Sequence, residues 1–278
     1  MTSDRPVILI TGCSSGIGLD AARTLTARGW RVLASCRRPE DCAAREAEGL
    51  ESFVLDVADP ASGAAARPRI EALTGGRLDA LFNNAGIALP AALEDLPREA
   101  LREIFETNVF GTHDLTRSLL PLMHAQGHGR IITCSSVLGV VPRRWRGAYV
   151  ASKYALEGWA DVLRIELRDT PIKVVLIQPG PITSRFRINS IPLFERWIDW
   201  RASRNAARYE SALVPRLYQQ RGPDRFERPA AAVSRALVRA LESASPAPRY
   251  RVTIPAHLMA ALRRMLPTRA LDWLISRE

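Results

Sequence analysis

Three side chains between Ser136 and Lys153 could together move a proton to or from a hydroxyl or carbonyl group. Tyr149 and Lys153 are four residues apart, which is about one helical turn, so they share one face of a helix. Because an ammonium group beside a phenol favours the phenolate, we expect Lys153 to lower the pKa of Tyr149 from its usual value of about 10. Tyr149 would then exchange a proton near neutral pH while Ser136 hydrogen-bonds a substrate oxygen. The same spacing also occurs on ordinary half-exposed helices.

A glycine-rich turn near the start of the chain is typical of dinucleotide-binding folds. The apolar run from Val7 to Thr11 predicts a strand, and Gly12, Gly16 and Gly18 follow it. Apolar residues at helical spacing come next, so the turn leads into a helix whose first N–H groups would face a pyrophosphate. The spacing is G-x-x-x-G-x-G rather than the commoner G-x-G-x-x-G.

The residues after the second predicted strand favour NADP(H) over NAD(H). That strand runs from Trp30 to Cys36, and Arg37 and Arg38 follow it. NAD-binding folds commonly place an acidic residue here for the ribose 2′-hydroxyl, whereas arginine suits a 2′-phosphate. We expect Arg37 to contact that phosphate, with NAD(H) as the alternative cofactor.

Short apolar runs alternate with helical patterns along the chain, which predicts an α/β fold: a single Rossmann-type, doubly wound parallel sheet with helices on both faces. The predicted strands are 7–11, 30–36, 52–55, 78–82, 130–134, 173–178 and 250–254. Ligands bind at the carboxyl ends of such strands. Asp56 and Val57 follow the third strand, where they would bracket an adenine ring. Asn84, Ala85 and Gly86 follow the fourth, where small residues and amides suit close contact with a cofactor.

We expect one domain over residues 1–278, with two departures from the alternating pattern. Residues 185–228 mix aromatic side chains with arginines, which predicts a helical, substrate-covering insertion. Residues 256–278 are apolar and basic, broken at Pro267, and predict a C-terminal helical extension that docks on protein or on a membrane surface.

Two helical patterns contain an irregularity. Residues 61–74 predict a helix that Pro68 interrupts, and residues 96–126 predict one long helix. Asn108 lies in the middle of the second pattern, where asparagine is a poor helix former. A local kink with a bound water and a simple exposed asparagine are both open interpretations there.

The composition argues against several other classes of protein. The chain has 278 residues, 47% of them apolar, and a net charge of +10, which predicts a folded domain with a basic surface rather than a disordered chain. It has no apolar run of about 18 residues and no signal-peptide pattern, so we expect a cytoplasmic protein. Its four cysteines and four histidines lack metal-ligand spacing, and no nucleic-acid-binding signature is present. We therefore expect neither a metal nor a nucleic-acid partner.

Taken in order, these motifs resemble the short-chain dehydrogenase/reductase family over roughly residues 6 to 184. The matching motifs are Thr11-Gly12-x-x-x-Gly16-x-Gly18, Asn83-Asn84-Ala85-Gly86, Asn108, Ser136, Tyr149-x-x-x-Lys153 and Pro179-Gly180. Each is modest alone, but the ordered set is specific. The remainder of the chain, including Arg249-Tyr250, is similar to the branch that contains 17β-hydroxysteroid and retinol dehydrogenases.

The resemblance implies reversible hydride transfer between a nicotinamide and an alcohol or carbonyl group. Tyr149 would be the acid in reduction and the base in oxidation. Lys153 would hold the nicotinamide ribose, Ser136 would orient the substrate oxygen, and Asn108 would hold a water that links Lys153 to solvent. The resemblance also implies a homodimer or homotetramer.

The cofactor-binding prediction has one open position. The family commonly has a threonine four residues after the glycine of its Pro-Gly motif, whereas this chain has Ser184 there, with Thr183 beside it. Either hydroxyl could contact the carboxamide or a phosphate of the cofactor. The predicted cofactor-binding residues are Gly12, Ser14, Ser15, Gly16, Ile17, Gly18, Arg37, Asp56, Val57, Asn84, Ala85, Gly86, Tyr149, Lys153, Pro179, Gly180, Ile182, Thr183 and Ser184.

Three hypotheses for the function differ in substrate or in chemistry. The leading one is an NADP(H)-dependent oxidoreductase for a lipophilic alcohol or ketone, such as a steroid, retinoid or fatty compound, because the insertion is aromatic. In the second, Arg143, Arg144 and Arg146 receive the acidic carrier of a ketoacyl thioester. In the third, the protein binds NADP(H) as a sensor without turnover.

Overall fold

Seven parallel strands form the central sheet of the computed structural model, which describes residues 5–219, 222 and 226–276. In chain order the strands are β1 Val7–Ile10, β2 Arg31–Cys36, β3 Glu51–Val54, β4 Ala80–Asn83, β5 Gly129–Cys134, β6 Ile172–Pro179, β7 Ile182–Thr183, β8 Arg228–Pro229 and β9 Arg249–Val252. The sheet has the order β3-β2-β1-β4-β5-β6-β9, and β7 pairs with β8 outside it. The predicted Rossmann-type sheet is confirmed.

The strand order reverses direction beside β1, and this is where an open parallel sheet binds its ligand. From β1 the chain moves outward to β2 and β3, then returns to place β4 on the other side of β1. The carboxyl ends of β1 and β4 therefore lie side by side, and the two loops that leave them face the same crevice.

Helices cover both faces of the sheet. The larger ones are α1 Gly16–Ala27, α2 Pro39–Ala47, α3 Pro60–Thr74, α4 Arg98–Phe105, α5 Gly111–Gln126, α6 Gly147–Glu166 and, after the insertion, α11 Ala231–Glu242. On one face, Leu25 of α1 and Leu237 of α11 pack in one buried cluster with the sheet. On the other, Ile70 of α3, Leu119 of α5 and Ala160 of α6 pack in a second. Burial of each large apolar side chain stabilises the fold by about 1.5–3 kcal/mol.

The predicted break at Pro68 is wrong, because α3 continues through it. Asp59 caps the helix by accepting hydrogen bonds from the N–H groups of Ala61 and Ser62, at 3.0 and 3.3 Å. Pro68 lies on the exposed side of the helix, as does Ala64 one turn earlier. The carbonyl that proline leaves without an N–H donor is therefore on the side facing water.

The predicted long helix over residues 96–126 is divided in two. A π-helical segment, Glu106–Phe110, separates α4 from α5. Asn108 lies within this segment and is fully buried, so the irregularity is not an exposed asparagine. A single π-helical turn inside a helix commonly marks a functional site.

The predicted insertion is helical where the structure describes it. It contains α7 Phe186–Asn189, α8 Ile191–Trp197, α9 Ala206–Arg208 and α10 Val214–Tyr218. Phe194, Tyr209 and Leu217 from this segment pack on Leu89 and Ala148, which lie beside the expected active site. Residues 220–221 and 223–225 of the insertion lie outside the described residues.

The C-terminal extension consists of two helices, α12 Ile254–Met265 and α13 Thr268–Ser276. The break predicted at Pro267 falls between them. Residues 277–278 lie outside the described part. Within the described residues, no helix is both long enough and apolar enough to cross a bilayer.

Candidate active site

The turn between β1 and α1 has a backbone that requires glycine. Gly12 and Gly16 have φ values of +73° and +61°, in the left-handed region that favours glycine. A Cβ on Gly18 would lie 2.3 Å from the carbonyl oxygen of Gly12. Ser15 precedes α1 and provides no side-chain cap, so the first N–H groups of the helix remain for a ligand. The turn therefore fits the pyrophosphate of a dinucleotide.

The loop after β4 supports this turn from the side. The Thr11 hydroxyl accepts hydrogen bonds from the backbone N–H groups of Asn84 and Ala85, at 3.0 and 2.9 Å. The Asn84 amide donates to the carbonyl of Thr11 at 2.9 Å and to that of Gly12 at 3.3 Å. Asn84 therefore braces the glycine-rich turn with its own side chain.

Arg45 also holds the turn, although no sequence pattern pointed to it. Its guanidinium donates to the Ser14 carbonyl at 2.9 Å and pairs with Glu48 at 2.6 Å. Arg45 is 8% exposed. Its position in α2, 31 residues after Ser14, carries no pattern that links it to the glycines, and only the packing of α2 brings it there.

The two arginines after β2 have different surroundings. Arg38 pairs with Asp41 at 3.1 Å and with Glu40 at 3.5 Å. Arg37 is exposed and forms no ion pair with any residue in the described ranges. Of the two, Arg37 is therefore the one available to a bound phosphate.

The backbone and side chain of Asp56 are engaged at the carboxyl end of β3. Its N–H donates to Ser62 and its carboxylate accepts from the N–H of Ala58, both at 3.0 Å. A Cβ on Gly111 would lie 2.2 Å from the carbonyl oxygen of Val57. The start of α5 therefore packs closely against Val57 and fixes the position of this loop.

Ser136, Tyr149 and Lys153 lie together at the carboxyl end of β5. Ser136 hydrogen-bonds the Tyr149 phenol, and this bond lowers the tyrosine pKa. The ammonium group of Lys153 lies 5.5 Å from the centre of the Tyr149 ring. Tyr149 is partly buried, whereas Lys153 is only 4% exposed.

The predicted direction of the Tyr149 pKa shift is wrong. Burial raises the pKa of Tyr149 above its usual value, and the Ser136 hydrogen bond and the Arg146 charge oppose that effect only in part. Burial likewise lowers the pKa of Lys153, although the nearby Glu157 carboxylate opposes it. Sequence spacing predicted the pairing, but it contained no information on how strongly both groups are desolvated.

Lys153 is held by the backbone at the end of β5. Its ammonium group donates to the Cys134 carbonyl at 2.8 Å. A Cβ on Gly86 would lie 3.7 Å from this ammonium nitrogen and 3.3 Å from the Asn108 side-chain oxygen. Glycine at position 86 therefore leaves the space in front of Lys153 and Asn108 open.

Asn108 links the loop after β4 to α6. Its side-chain oxygen accepts from the Ile87 N–H at 2.8 Å, and its amide donates to the Ile87 carbonyl at 3.0 Å and to the Ser152 hydroxyl at 2.9 Å. The Ser152 hydroxyl in turn donates to the Tyr149 carbonyl at 2.8 Å. Asn108 thus fixes the helical turn that carries Tyr149.

The segment after β6 returns to the glycine-rich turn. A Cβ on Gly180 would lie 2.1 Å from the Thr253 hydroxyl, and one on Gly16 would lie 3.2 Å from Cβ of Ser184. Thr183 belongs to β7 and is exposed. Ser184 is therefore the residue that lies against the turn. Pro179 and Ile182 complete this segment, at the end of β6 and in β7 respectively.

A buried carboxylate behind Lys153 joins four elements. Glu157 accepts hydrogen bonds from the Ser135 hydroxyl and, at 2.9 Å, from the Gln178 amide. Its other oxygen pairs with Arg249 of β9 at 3.0 Å, and Arg249 also pairs with Asp161 at 2.6 Å. Arg249 therefore connects the edge strand β9 to α6. In the sequence, only the family resemblance pointed to this residue.

We expect Glu157→Gln to lower the free energy of unfolding by about 3 kcal/mol, the low end for breaking a buried ion pair, because Asp161 still holds Arg249. Urea unfolding measures this loss. The matched control is Glu166→Gln, on the exposed part of the same helix, which should change stability by less than about 0.5 kcal/mol. Equal losses in the two variants would contradict the buried-pair explanation.

Aromatic side chains from the insertion stand beside Tyr149. The Phe186 ring lies 5.3 Å from the Tyr149 ring, centre to centre. The Trp145 ring lies 4.7 Å from that of Tyr209, and the Trp145 backbone has a φ of +65°, a strained conformation for a bulky residue. The Phe186 ring therefore bounds one side of Tyr149, which suits an apolar substrate body.

Comparison with known proteins gives consistent similarities. The short-chain dehydrogenase family model matches residues 6–192. The uncharacterized oxidoreductase YbbO of Escherichia coli is 39% identical over 265 residues, covering 95% of this chain and 92% of its own. Human retinol dehydrogenase 16 is 41% identical over 178 residues, covering 62% of this chain and 56% of its own. The crystal structure of a short-chain dehydrogenase from Streptomyces avermitilis has a TM-score of 0.79 at 28% identity, covering 99% and 97% of the two chains.

Proposed function

The chain belongs to the short-chain dehydrogenase family and is an NAD(P)-dependent oxidoreductase of that family. From this premise we propose that it interconverts a lipophilic alcohol and the corresponding ketone or aldehyde, with NADP(H) as the preferred cofactor. One observation carries the proposal: a Tyr149 phenol bonded to Ser136 and next to Lys153, across the crevice from a glycine-rich turn.

The residues of the crevice fit a dinucleotide without rearrangement of the turn. The positive φ of Gly12 and Gly16 and the packing of Gly18 against the Gly12 carbonyl set the shape of the turn at the start of α1, a helix N-terminus that suits a pyrophosphate. Ser184 lies against Gly16. When bound, the nicotinamide supplies or accepts the hydride. We assign the hydroxyl contact after β6 to Ser184 rather than Thr183, because only Ser184 abuts the turn.

In this proposal, three residues of the chain carry out the proton transfer. Tyr149 holds the proton that passes to the carbonyl oxygen in reduction, and takes it from the alcohol in oxidation. Ser136 fixes the orientation of that oxygen, and Lys153 places a positive charge where phenolate character develops. The Phe186 ring packs beside Tyr149 at the place of the transfer.

Preference for NADP(H) rests on the free guanidinium of Arg37. We expect Arg37→Gln to lower kcat/KM for NADPH by about 10- to 100-fold, because charge-assisted hydrogen bonds are worth about 1.5–3 kcal/mol each. In the same variant, kcat/KM for NADH should change by less than about threefold. The matched control is Arg38→Gln, since Arg38 is already paired with Asp41. If both variants lose NADPH activity equally, or neither does, Arg37 is not the phosphate contact.

The lipophilic substrate class is supported by the aromatic boundary of the site and by the similarity to human retinol dehydrogenase 16. The test is oxidation of NADPH and NADH, followed by nicotinamide absorbance, with steroid ketones, retinal, medium-chain aldehydes and a ketoacyl thioester. Turnover of a lipophilic carbonyl with NADPH is the expected result. Turnover of the thioester alone would support the carrier hypothesis, and tight NADPH binding without any turnover would support the sensor.

A further inference from the structure

Arg146 is a partly buried arginine that no other described residue neutralises. It stands at the start of α6, three residues before Tyr149. Its side chain forms no hydrogen bond or ion pair with any residue in the part of the chain that the structure describes. A desolvated charge without a partner costs free energy, so its presence at a binding site requires a reason.

Three other arginines that are withdrawn from water have partners for at least part of their guanidinium groups. Arg45 bonds Glu48 and the Ser14 carbonyl, and Arg249 pairs with Glu157. Arg130 donates to two backbone carbonyls, both at 2.7 Å. Arg146 differs from these three in having no such partner while lying beside the catalytic tyrosine.

Apart from the Tyr149 phenol, the charges that act on Arg146 are of its own sign. Burial and the positive charges of Arg216 and Arg143 lower the pKa of Arg146 to about 10, so it remains charged at neutral pH. Carboxylates do lie in the adjoining loop, but they are engaged elsewhere. Glu94 pairs with Arg204 at 3.1 Å, and Asp95 accepts hydrogen bonds from Ser203 and Tyr209.

The helix α6, which follows Arg146, adds to the positive potential. α6 is 20 residues long, has no side-chain cap and has no acidic residue in its first turn. The N–H groups at such a helix start favour an anion through the helix dipole. The adjoining Ala91 N–H donates to the Trp145 carbonyl at 3.1 Å, which fixes the loop that presents Arg146.

We propose that Arg146, with the first turn of α6, forms a subsite for an anionic group carried by the substrate, a carboxylate or a phosphate ester. This inference rests on the proposed function and narrows it. The substrate has an apolar body against the aromatic rings, a carbonyl at Tyr149 and an anionic group close by, because Arg146 is within one helical turn of the phenol. A neutral steroid or retinoid would leave this charge unpaired.

Matched aldehydes test the subsite. We would measure kcat/KM with NADPH for 4-carboxybenzaldehyde, its methyl ester and 4-formylphenyl phosphate. The wild type should prefer at least one of the anionic aldehydes to the ester by about tenfold or more. In Arg146→Gln this ratio should fall towards one, and in Arg146→Lys it should be partly retained. Arg144→Gln, which removes an exposed charge from the same loop, should keep the wild-type ratio.

The two anionic aldehydes identify the group that the subsite takes, since preference for one or the other assigns a carboxylate or a phosphate. Equal kcat/KM for all three aldehydes in the wild type would overturn the subsite. An equal loss of kcat/KM for the ester and the carboxylate in Arg146→Gln would also overturn it, because that pattern would mean that Arg146 changes the pKa of Tyr149 and does not bind the substrate.

A binding measurement separates this inference from the proposed function. 4-tert-Butylbenzoate should raise the melting temperature of the wild type and not that of Arg146→Gln, while the neutral 4-tert-butylbenzamide should not distinguish them. If no carbonyl is turned over, the proposed function fails and this comparison still tests the subsite. Equal increases in the melting temperature of the wild type with 4-tert-butylbenzoate and 4-tert-butylbenzamide would overturn the subsite.

Discussion

Replacing Tyr149 by phenylalanine should lower kcat by at least about a thousandfold in both directions. The change removes one oxygen atom, the phenol oxygen that exchanges a proton with the substrate oxygen in the proposed mechanism. General acid–base catalysis contributes about 10²- to 10⁴-fold, and the loss of the oriented hydroxyl adds to it. NADPH affinity should stay within about threefold, because the glycine-rich turn is untouched. Stopped-flow turnover and fluorescence titration of NADPH measure the two quantities.

The pH dependence of the wild type follows from the same phenol. Because burial raises the Tyr149 pKa, the group is protonated at neutral pH and ready to act as the acid. Reduction should therefore be nearly independent of pH around neutrality, whereas oxidation, which needs the phenolate, should rise as the pH increases. The rise of the oxidation rate with pH should vanish in Tyr149→Phe.

A second tyrosine on the same helix provides the control. Tyr154 is 37% exposed, so Tyr154→Phe should keep kcat within about twofold. Retention of more than about a tenth of the wild-type kcat in Tyr149→Phe would remove this residue from the proton transfer.

The sheet could be predicted from the sequence because its central strands are short apolar runs buried on both faces. All four residues of β1 are buried, and such runs show clearly against the helical patterns on either side. The parallel sheet then brings the ends of β1 and β4 together, which the sequence could only imply through topology. Tyr149 and Lys153 were identifiable because a helical turn fixes their spacing.

The features that the sequence did not reveal depend on long-range packing or on burial. Arg249 meets Glu157 across 92 residues, and Arg45 reaches Ser14 only because α2 folds back over the turn. The direction of the Tyr149 pKa shift depends on desolvation, which has no signature in residue spacing. The choice of Ser184 over Thr183 likewise depends on which one abuts Gly16.

Lys153→Met should lower kcat by about a hundredfold or more and weaken NADPH binding. Methionine has a similar length but carries no charge, so the positive charge 5.5 Å from the Tyr149 ring is lost. A positive charge near the phenol favours its ionised form. The pH at which oxidation becomes fast should therefore move upward, as a pH–rate profile of the variant would measure.

Lys173 offers a close control, because it is the other lysine of the chain and is exposed on β6. Lys173→Met should leave kcat and the pH profile unchanged, which separates a local charge effect from a change in total charge. Lys153→Met also leaves the Cys134 carbonyl without its donor, a loss of about 1–3 kcal/mol in stability. A thermal melting curve of the variant measures this loss of stability separately from the change in kcat. An unshifted pH profile in folded Lys153→Met would mean that the lysine holds the cofactor without favouring the phenolate.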